Sequence, residues 1–526
     1  MKSLCLLLTA LCYSFITLAQ NVQFADVDDR DNQQMNFEII GKLKNNLLIY
    51  KEVKNQKRIT VYDDGMHVIV DKALDFIPSK ASLIDLSFFQ NGDKANMIYQ
   101  FQAGNIVYCV ASIINADGES IGEPIVLDTT QIDYLSKGKV YNYMTNENGS
   151  RIGIFKINKK DKKNQVFSID VYNAALVRQG SSVFTIHMAD AGDFLANYVL
   201  TNDGTFAFIK YNREKSGVIQ KVHLVQNKLG DTKVFGTDLN VENKFLDDIK
   251  LKIDEKNNRF LVSSLYADKK KGKINGIFTA GFEKMSGKNL FVHVTPVQIQ
   301  SKSSKTANSK ALDDHFINHF IVNDDGTFTI VSEVASSNYN YMGMYNSFYG
   351  GLGYWGSPWG MWGPGWYGMP HYHWGFTPWS GYWGGWGYYS PFFYRSYWWG
   401  SYWPDDRRSI NYKNGNIAVF NFDKTGILSS KNMIFKNQQS SNTDATLSYQ
   451  MIENKKDIGF VFNKSKKLDE LVKITVDEDG KINEQNMVTA KNKNMSFMPK
   501  YAKRLNGTLI VPYLQKNNIS FVKIEL

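Results

Sequence analysis

Three observations predict that this chain is an all-β protein built from four-stranded repeats. Short runs rich in Val, Ile, Thr, Phe and Tyr follow residue 20, and clusters of Asn, Asp, Gly and Lys separate them. A similar polar turn returns about every fifty residues. The last repeat has room for one strand too few, and a strand-like segment near the N-terminus can supply the missing one. Helical periodicity is nearly absent from the same region.

The repeat is clearest where a polar turn leads into an alternating strand. Residues 201–209, TNDGTFAFI, return at 322–330 as VNDDGTFTI and more loosely at 505–511 as LNGTLIV. Turns of this first kind lie near Asn45, Gly92, Asn148, Asp203, Asn258, Asp325, Lys456 and Asn506. A second turn follows two strands later in the first seven repeats, at Asp64-Gly65, Asp117-Gly118, Asn173-Ala174, Leu229-Gly230, Ser286-Gly287, Thr425-Gly426 and Asp479-Gly480. Each unit therefore reads strand, turn, strand, loop, strand, turn, strand.

Four antiparallel strands in each of several units of this length predict a single β-propeller. We count eight blades, with seven as the alternative if one unit has been divided wrongly. The final unit holds strands only near 497–504, 508–514 and 519–524. We expect residues 21–27 to add the fourth strand, because closing the ring removes its exposed sheet edges.

On this repeat pattern, residues 21–526 resemble secreted bacterial β-propeller proteins. The resemblance is one of architecture, since the repeats carry no blade signature of a particular family. This resemblance implies a fold. It does not identify any functional residue in this sequence.

The N-terminus has the features of a secretory signal peptide. Lys2 precedes an apolar run from Leu4 to Leu18, and Ala19 ends a small-residue cleavage site. The sequence thus predicts a signal peptide over 1–19, cleavage after Ala19 and a propeller over 20–526. We expect a secreted or periplasmic protein, with outer-membrane association as a further option. Cys109 is then the one cysteine left, so the fold contains no internal disulfide.

A segment over 338–404 differs from the rest of the chain in composition. Gly, Trp, Tyr, Phe, Pro, Met and Ser make up nearly all of it, and it includes every tryptophan of the protein. These tryptophans are Trp355, Trp359, Trp362, Trp366, Trp374, Trp379, Trp383, Trp386, Trp398, Trp399 and Trp403. Glycine and proline oppose a regular helix here. The segment falls between the second and third strands of the sixth unit, so we interpret it as a low-complexity insertion into that blade.

The aromatic rings of this insertion are the predicted ligand-binding residues. Tryptophan and tyrosine stack on sugar faces, partition to lipid interfaces and dominate protein contacts, so a glycan, a membrane surface and a protein are all candidate partners. We favour a non-enzymatic binding or scaffold protein. One alternative is a propeller hydrolase that acts on carbohydrate or peptide with the insertion as a substrate platform. Another is an outer-membrane-associated assembly component. A loop that folds onto the propeller without any partner is also compatible with the composition.

Several other clusters favour ordinary structural roles. His371 and His373 alternate in the insertion, and His315 and His319 follow an Asp-Asp pair, but neither set includes enough ligands for a metal site. We therefore expect no metal and no cofactor, and the catalytic residues, if any exist, stay unknown. The segments 323–326 and 477–480 have the composition of hairpin turns. The formal charge of +10 is spread along the chain, with lysines grouped at 159–163 and 269–271, so we expect no nucleic-acid partner.

Overall fold

The computed structural model describes residues 21–526 apart from 298–311, 313, 338–410 and short stretches at 79–80, 133–138, 160, 162, 191, 214–218, 242, 271, 442, 455–456, 465–466, 478–479 and 491–494. The described residues form β-strands, connecting turns and one 3-10 turn, Pro499–Tyr501. None of them forms an α-helix. No helix in this part of the chain is therefore long and apolar enough to cross a membrane.

The strands group into eight blades. A short strand, β1 (Val22–Phe24), precedes the first blade. Blades one to four contain β2 (Asn36–Leu43), β3 (Asn46–Val53), β4 (Gln56–Tyr62) and β5 (Val68–Ala73); β6 (Ser82–Asn91), β7 (Lys94–Ala103), β8 (Ile106–Ile114) and β9 (Ser120–Gln131); β10 (Asn142–Thr145), β11 (Arg151–Lys159), β12 (Asn164–Asn173) and β13 (Arg178–His187); and β14 (Asp193–Leu200), β15 (Phe206–Arg213), β16 (Ile219–Asn227) and β17 (Phe235–Asp238).

Blades five to eight follow the same order. They contain β18 (Phe245–Asp254), β19 (Arg259–Ala267), β20 (Ile274–Glu283) and β21 (Asn289–Pro296); β22 (His315–Val322), β23 (Phe328–Ser337), β24 (Asn411–Phe422) and β25 (Leu428–Ile434), with β26 (Gln438–Ser441) beside them; β27 (Gln450–Glu453), β28 (Asp457–Asn463), β29 (Glu470–Asp477) and β30 (Ile482–Thr489); and β31 (Met495–Phe497), β32 (Lys503–Leu505), β33 (Thr508–Gln515) and β34 (Asn518–Glu525).

This strand order confirms the predicted all-β propeller of eight four-stranded blades. Neighbouring strands within each blade pair antiparallel. The fourth and fifth blades share one hydrogen-bonded sheet only through the single pair Ile219 and Leu246, so they remain separate blades. The alternative count of seven is wrong. The first turns join strands one and two of each blade, and the second turns join strands three and four of the first seven blades, as the repeat predicts.

The ring closes through the N-terminal strand. β1 pairs antiparallel with β34, in a register that places Val22 opposite Ile524 and Phe24 opposite Val522. The Ala25 amide continues this ladder by donating to the Phe521 carbonyl at 2.9 Å. The expected closing strand is thus confirmed, and it covers what would otherwise be the exposed edge of the eighth blade.

The apolar core is divided among the spaces between blades. Each of the eight interfaces between neighbouring blades contains its own cluster of buried hydrophobic side chains. In one such cluster, Phe167 of the third blade stacks on Phe184 of the same blade and on Phe208 of the fourth, each at a centroid distance of 5.0 Å. Because every blade buries both faces against its neighbours, the ring is stabilised by packing without disulfide bonds. Cys109 is a free, buried thiol.

A buried group of charged residues, here called the closure cluster, anchors the chain that follows β1. It consists of Asp31, Lys51, Arg58 and Tyr62. The Asp31 carboxylate forms ion pairs with both Lys51 and Arg58. The Lys51 ammonium also donates to the Tyr62 hydroxyl at 2.8 Å. Since Asp31 belongs to the N-terminal segment and its partners belong to the first blade, the cluster holds the closing strand against the ring.

The turns and strand ends refine the sequence expectations. Gly326 adopts φ +85, and its amide donates to the Asn323 carbonyl at 3.0 Å, so 323–326 is a hairpin turn. The Gly480 amide donates to the Asp477 carbonyl at 2.9 Å, which is the bond that closes a β-turn. The predicted strand over 497–504 is wrong as a single element. Pro499 lacks an amide donor and begins the 3-10 turn, which divides this region into β31 and β32.

The inner strands are tied to one another by polar side chains at irregular positions. β14 and β18 each contain a register shift, and Asn197 and Asp248 there adopt positive φ values of 57 and 51. The Asn197 amide donates to the Ile249 carbonyl of the next blade at 2.8 Å. The Asp248 carboxylate accepts from the Ile317 amide of the blade after that. These contacts tie the inner strand of the fourth blade to that of the fifth, and the inner strand of the fifth to that of the sixth.

Candidate functional site: the base of the aromatic insertion

The two ends of the insertion lie side by side in the sixth blade. β23 continues to Ser337 and β24 begins at Asn411. Ser337 lies opposite Tyr412, and Ser336 lies opposite Lys413. Opposed residues of antiparallel strands are about 5 Å apart. The intervening residues therefore leave and re-enter the blade at one place, on the side of the ring that carries the loops between second and third strands.

A third strand supports this hairpin. β26 pairs antiparallel with the start of β24, with Asn411 opposite Ser441 and Asn414 opposite Gln438. The Ser441 hydroxyl donates to the Asn411 side-chain oxygen at 2.6 Å. The start of β24 is consequently bonded on both sides. We use the name pedestal for 335–337, 411–414 and 438–441, together with the buried ion pair beneath them.

That ion pair joins Glu333 of β23 to Lys436, which precedes β26. The side chains are 0% and 1% exposed. The second Glu333 oxygen accepts from the Ser448 hydroxyl at 2.6 Å and from the Asn318 amide at 3.2 Å. Three separate parts of the chain thus contact one carboxylate: the inner strand of the blade, the connection to the seventh blade and the segment beside the insertion.

Lys436 is surrounded by groups that compensate for the burial of its charge. Its ammonium donates to the Gln438 side-chain oxygen at 2.8 Å and lies 5.7 Å from the ring centres of both Tyr449 and Phe462. Burial lowers the pKa of the Lys436 ammonium, and the charge of Glu333 opposes that effect. Gln438 in turn donates to the Asn463 carbonyl at 2.9 Å. The pedestal is therefore connected to the seventh blade as well as to its own.

Two histidines of β22 complete the polar interior of this blade. The ring of His315 is within 2.9 Å of the Ser332 hydroxyl, and that of His319 packs against Tyr449 at 5.6 Å. Burial lowers the pKa of His315 to about 4 and that of His319 to about 3. Both imidazoles are consequently neutral at pH 7, and they act as polar components of the core.

Some of the predicted site residues lie in the described part of the chain, and others lie outside it. All eleven tryptophans, together with His371 and His373, lie outside the described residues. His315 and His319 lie at the pedestal, but no group of three or more potential metal ligands occurs anywhere in the described part of the chain. The aromatic binding surface and the insertion boundary at 404 accordingly stay predictions.

Sequence reasoning missed the residues that form the pedestal. Glu333 carries one available signal, because it is a carboxylate in the otherwise apolar and small-residue strand segment FTIVSEV. Lys436 and Ser448 carry none, because they lie in an irregular connection that resembles any polar loop. Their contacts with Glu333 span 103 and 115 residues of sequence, and the fold alone joins them.

Comparison with known proteins gives structural likeness only. No protein-family profile matches the chain, and no curated protein matches it in sequence. Dihydro-heme d1 dehydrogenase NirN in complex with DHE is 10% identical with a TM-score of 0.37, over 97% of this chain and 79% of that one. Prolyl oligopeptidase B from Galerina marginata is 6% identical with a TM-score of 0.39, over 92% and 55%. Oligogalacturonate lyase in complex with manganese is 9% identical with a TM-score of 0.33, over 85% and 98%. At these values the propeller assignment rests on this chain's own strand order, and no activity is transferred.

Proposed function

We propose that this protein is a non-enzymatic binding or scaffold protein of the cell envelope, and that the aromatic insertion is its contact surface. The observation that supports this proposal best is the pedestal. The strands that flank the insertion, β23 and β24, are paired to each other, β24 is also bonded to β26, and a buried ion pair joins β23 to the chain beside β26. A surface that must meet a partner benefits from such a rigid base, since less conformational freedom is lost on binding.

The composition of the insertion supports the same conclusion. Its tryptophans and tyrosines supply large flat rings with few rotatable bonds. The ring of blades would act as the support, and the partner would be a glycan, a membrane surface or another envelope protein. Secretion to the periplasm or cell surface belongs to this proposal, because the sequence begins with a predicted signal peptide.

The test compares the mature protein with a variant in which a short glycine-rich linker replaces 338–410. Such a linker can join Ser337 to Asn411 because these strand ends are already neighbours. Binding is measured by cosedimentation with lipid vesicles, with insoluble envelope polysaccharide and with washed envelope membranes. All assays include about 0.5 M NaCl, which screens simple attraction between a basic protein and an anionic surface.

We expect the intact protein to bind at least one of these materials and the deletion variant to lose that binding while keeping its β-sheet spectrum and thermal transition. A shift in tryptophan emission on binding would report directly on the insertion, since every tryptophan lies there. Equal binding by a folded deletion variant would refute the proposal. Turnover of carbohydrate or peptide by the intact protein would refute its non-enzymatic part in favour of the hydrolase alternative.

A further inference from the structure

The two sides of the ring differ in charge. In each blade the first and second turns lie on one side, and the loop between the second and third strands lies on the other. By sequence, the seven second-to-third loops other than the insertion contain 13 lysines and four acidic residues. The turns on the opposite side contain ten lysines and 14 acidic residues. The fold therefore concentrates on one side a positive charge that is spread along the sequence.

The rest of the same side does not cancel this charge. The connections between blades lie there as well, and by sequence they contain 11 basic and 11 acidic residues. The insertion, over 338–410, contains three arginines and two aspartates. Because these segments are close to neutral as a whole, the positive charge of this side comes from its loops. We use the name lysine loops for the seven second-to-third loops.

Lysines of these loops are exposed to solvent. Six exposed lysines form no ion pair with another described residue: Lys54, Lys163, Lys269, Lys273, Lys467 and Lys516. Two acidic side chains of the same loops are already bonded within the protein. Asp268 accepts from the Lys244 ammonium at 2.8 Å, and Asp161 accepts from the Asn164 side chain at 2.8 Å. The six ammonium groups are therefore available to an anion outside the protein.

The six lysines are distributed around the ring. They belong to blades one, three, five, seven and eight, always in the loop that joins the second strand to the third. A small anion or a single polymer strand contacts only a few such positions at once, whereas a flat surface contacts them together. The lysine loops also contain no arginine. Arginine forms paired hydrogen bonds with individual phosphate groups, whereas lysine acts as a flexible point charge, which suits attraction to a charged surface.

We propose that the side of the ring with the lysine loops docks on an anionic phospholipid surface. This inference rests on the proposed function, because it names a membrane as the partner on the side from which the insertion leaves. Each lysine near an anionic bilayer adds to the attraction, and tryptophan and tyrosine favour the interface between lipid and water. The acidic turns of the opposite side are repelled by the same surface, so the charge difference also determines which side approaches.

The experiment is cosedimentation of the mature, full-length protein with vesicles in about 0.1 M NaCl, where charge attraction acts over about 10 Å. One set of vesicles is phosphatidylcholine alone, and the other contains about 30% phosphatidylglycerol as the anionic lipid. The loop variant carries Lys163→Gln, Lys269→Gln and Lys273→Gln together, which removes three exposed charges from the lysine loops.

The matched turn variant carries Lys228→Gln, Lys288→Gln and Lys424→Gln. These lysines are exposed in the second turns of blades four, five and six, on the opposite side, so both variants undergo the same change in net charge. Thermal transitions equal to that of the parent establish that both variants fold.

We expect the parent protein to bind the anionic vesicles at least about tenfold more tightly than the neutral ones. The loop variant should bind the anionic vesicles about tenfold or more weakly than the parent, and the turn variant should stay within about twofold of the parent. Equal binding of both kinds of vesicle, or an equal loss in the two variants, would overturn the proposal. Tighter binding of alginate, a soluble acidic polysaccharide, at the same concentration of negative charge would overturn it as well.

The variant lacking 338–410 separates this inference from the proposed function. It should keep its preference for anionic vesicles in about 0.1 M NaCl, because the deleted segment carries a net charge of only +1. If it also binds as the intact protein does in about 0.5 M NaCl, the proposed function fails and this inference stands. If binding in about 0.5 M NaCl depends on the insertion but binding in about 0.1 M NaCl does not depend on the loop lysines, this inference alone fails.

Discussion

The closure cluster and the pedestal use the same chemistry for different purposes. Each buries a lysine against a carboxylate, and one member of each pair lies on the second strand of a blade: Lys51 on β3 and Glu333 on β23. At the closure cluster, the partners of Asp31 lie only 20 and 27 residues away in sequence, and a second cation, Arg58, shares the carboxylate. At the pedestal, Glu333 contacts Lys436 across 103 residues, and the insertion lies between them. The first cluster fixes a chain end to the ring, whereas the second fixes the two ends of a long insertion to each other.

The largest effect is expected at the closure cluster. Asp31→Ala leaves Lys51 and Arg58 buried without their shared carboxylate, and breaking a buried pair in this way costs about 3–5 kcal/mol. The free energy of unfolding from urea titration should fall by about that amount. Lys42→Ala, which removes a partly exposed pair with Asp64, should change it by less than about 1 kcal/mol.

In the folded Asp31→Ala variant, tryptophan emission should match that of the parent, because the cluster lies in the first blade and every tryptophan lies in the insertion. If the variant is too unstable to purify, Asp31→Asn provides the same comparison with a smaller change in volume. A stability loss below about 1 kcal/mol in both variants would show that the cluster does not secure ring closure.

A substitution in the pedestal is expected to cause a smaller loss of stability, accompanied by a change in tryptophan emission. Glu333→Gln keeps the shape of the side chain but leaves Lys436 buried beside a neutral group, so we expect a cost of about 3 kcal/mol. Unlike the closure variant, this one should also change tryptophan emission in the folded state, because the support of the insertion is altered. Steady-state emission below the unfolding transition is the measurement.

Glu333→Gln has two matched controls. Lys413→Ala removes an exposed side chain from the same hairpin and should stay within about 0.5 kcal/mol of the parent. The double variant Glu333→Gln with Lys436→Met removes both charges and should recover part of the lost stability. Unchanged emission in a folded Glu333→Gln protein would mean that the ion pair does not support the insertion.

The smallest effect concerns acid stability near the pedestal. Burial holds the folded pKa of His315 at about 4 and that of His319 at about 3, below the ordinary 6.5. Below pH 6.5 the unfolded chain therefore takes up protons that the folded protein does not, and stability falls until the folded values are reached. Each histidine contributes at most about 1.4 kcal/mol per pH unit. Between pH 7 and pH 6 the parent should lose about 1.4 kcal/mol more than the variant His315→Gln with His319→Gln.

Urea titrations at the two pH values measure this difference. His67→Gln is the same substitution made away from the pedestal, since the His67 side chain is 69% exposed and lies between β4 and β5 of the first blade. If the double variant loses as much stability as the parent on acidification, the buried histidines do not couple to folding.

Local patterns in the sequence were enough to predict the repeating part of this protein. Turn residues recur at matching positions in every unit, so the number of blades, the hairpins within them and the closing strand near Val22 all follow from alternation and turn chemistry. The division of the last inner strand at Pro499 and the added strand β26 were missed, because both depend on how an irregular connection packs. Neither changes the order of the blades.

What the sequence determined by itself was thus the all-β repeat, its closure and the confinement of tryptophan to one insertion. The tertiary structure alone decided which charges meet. Glu333 and Lys436 are paired because the ring places a strand against a distant connection. The cause is the distance along the chain over which each kind of interaction acts. Strand alternation and turn geometry act over a few residues, whereas buried ion pairs and contacts between blades exist only after chain segments far apart in sequence have packed together.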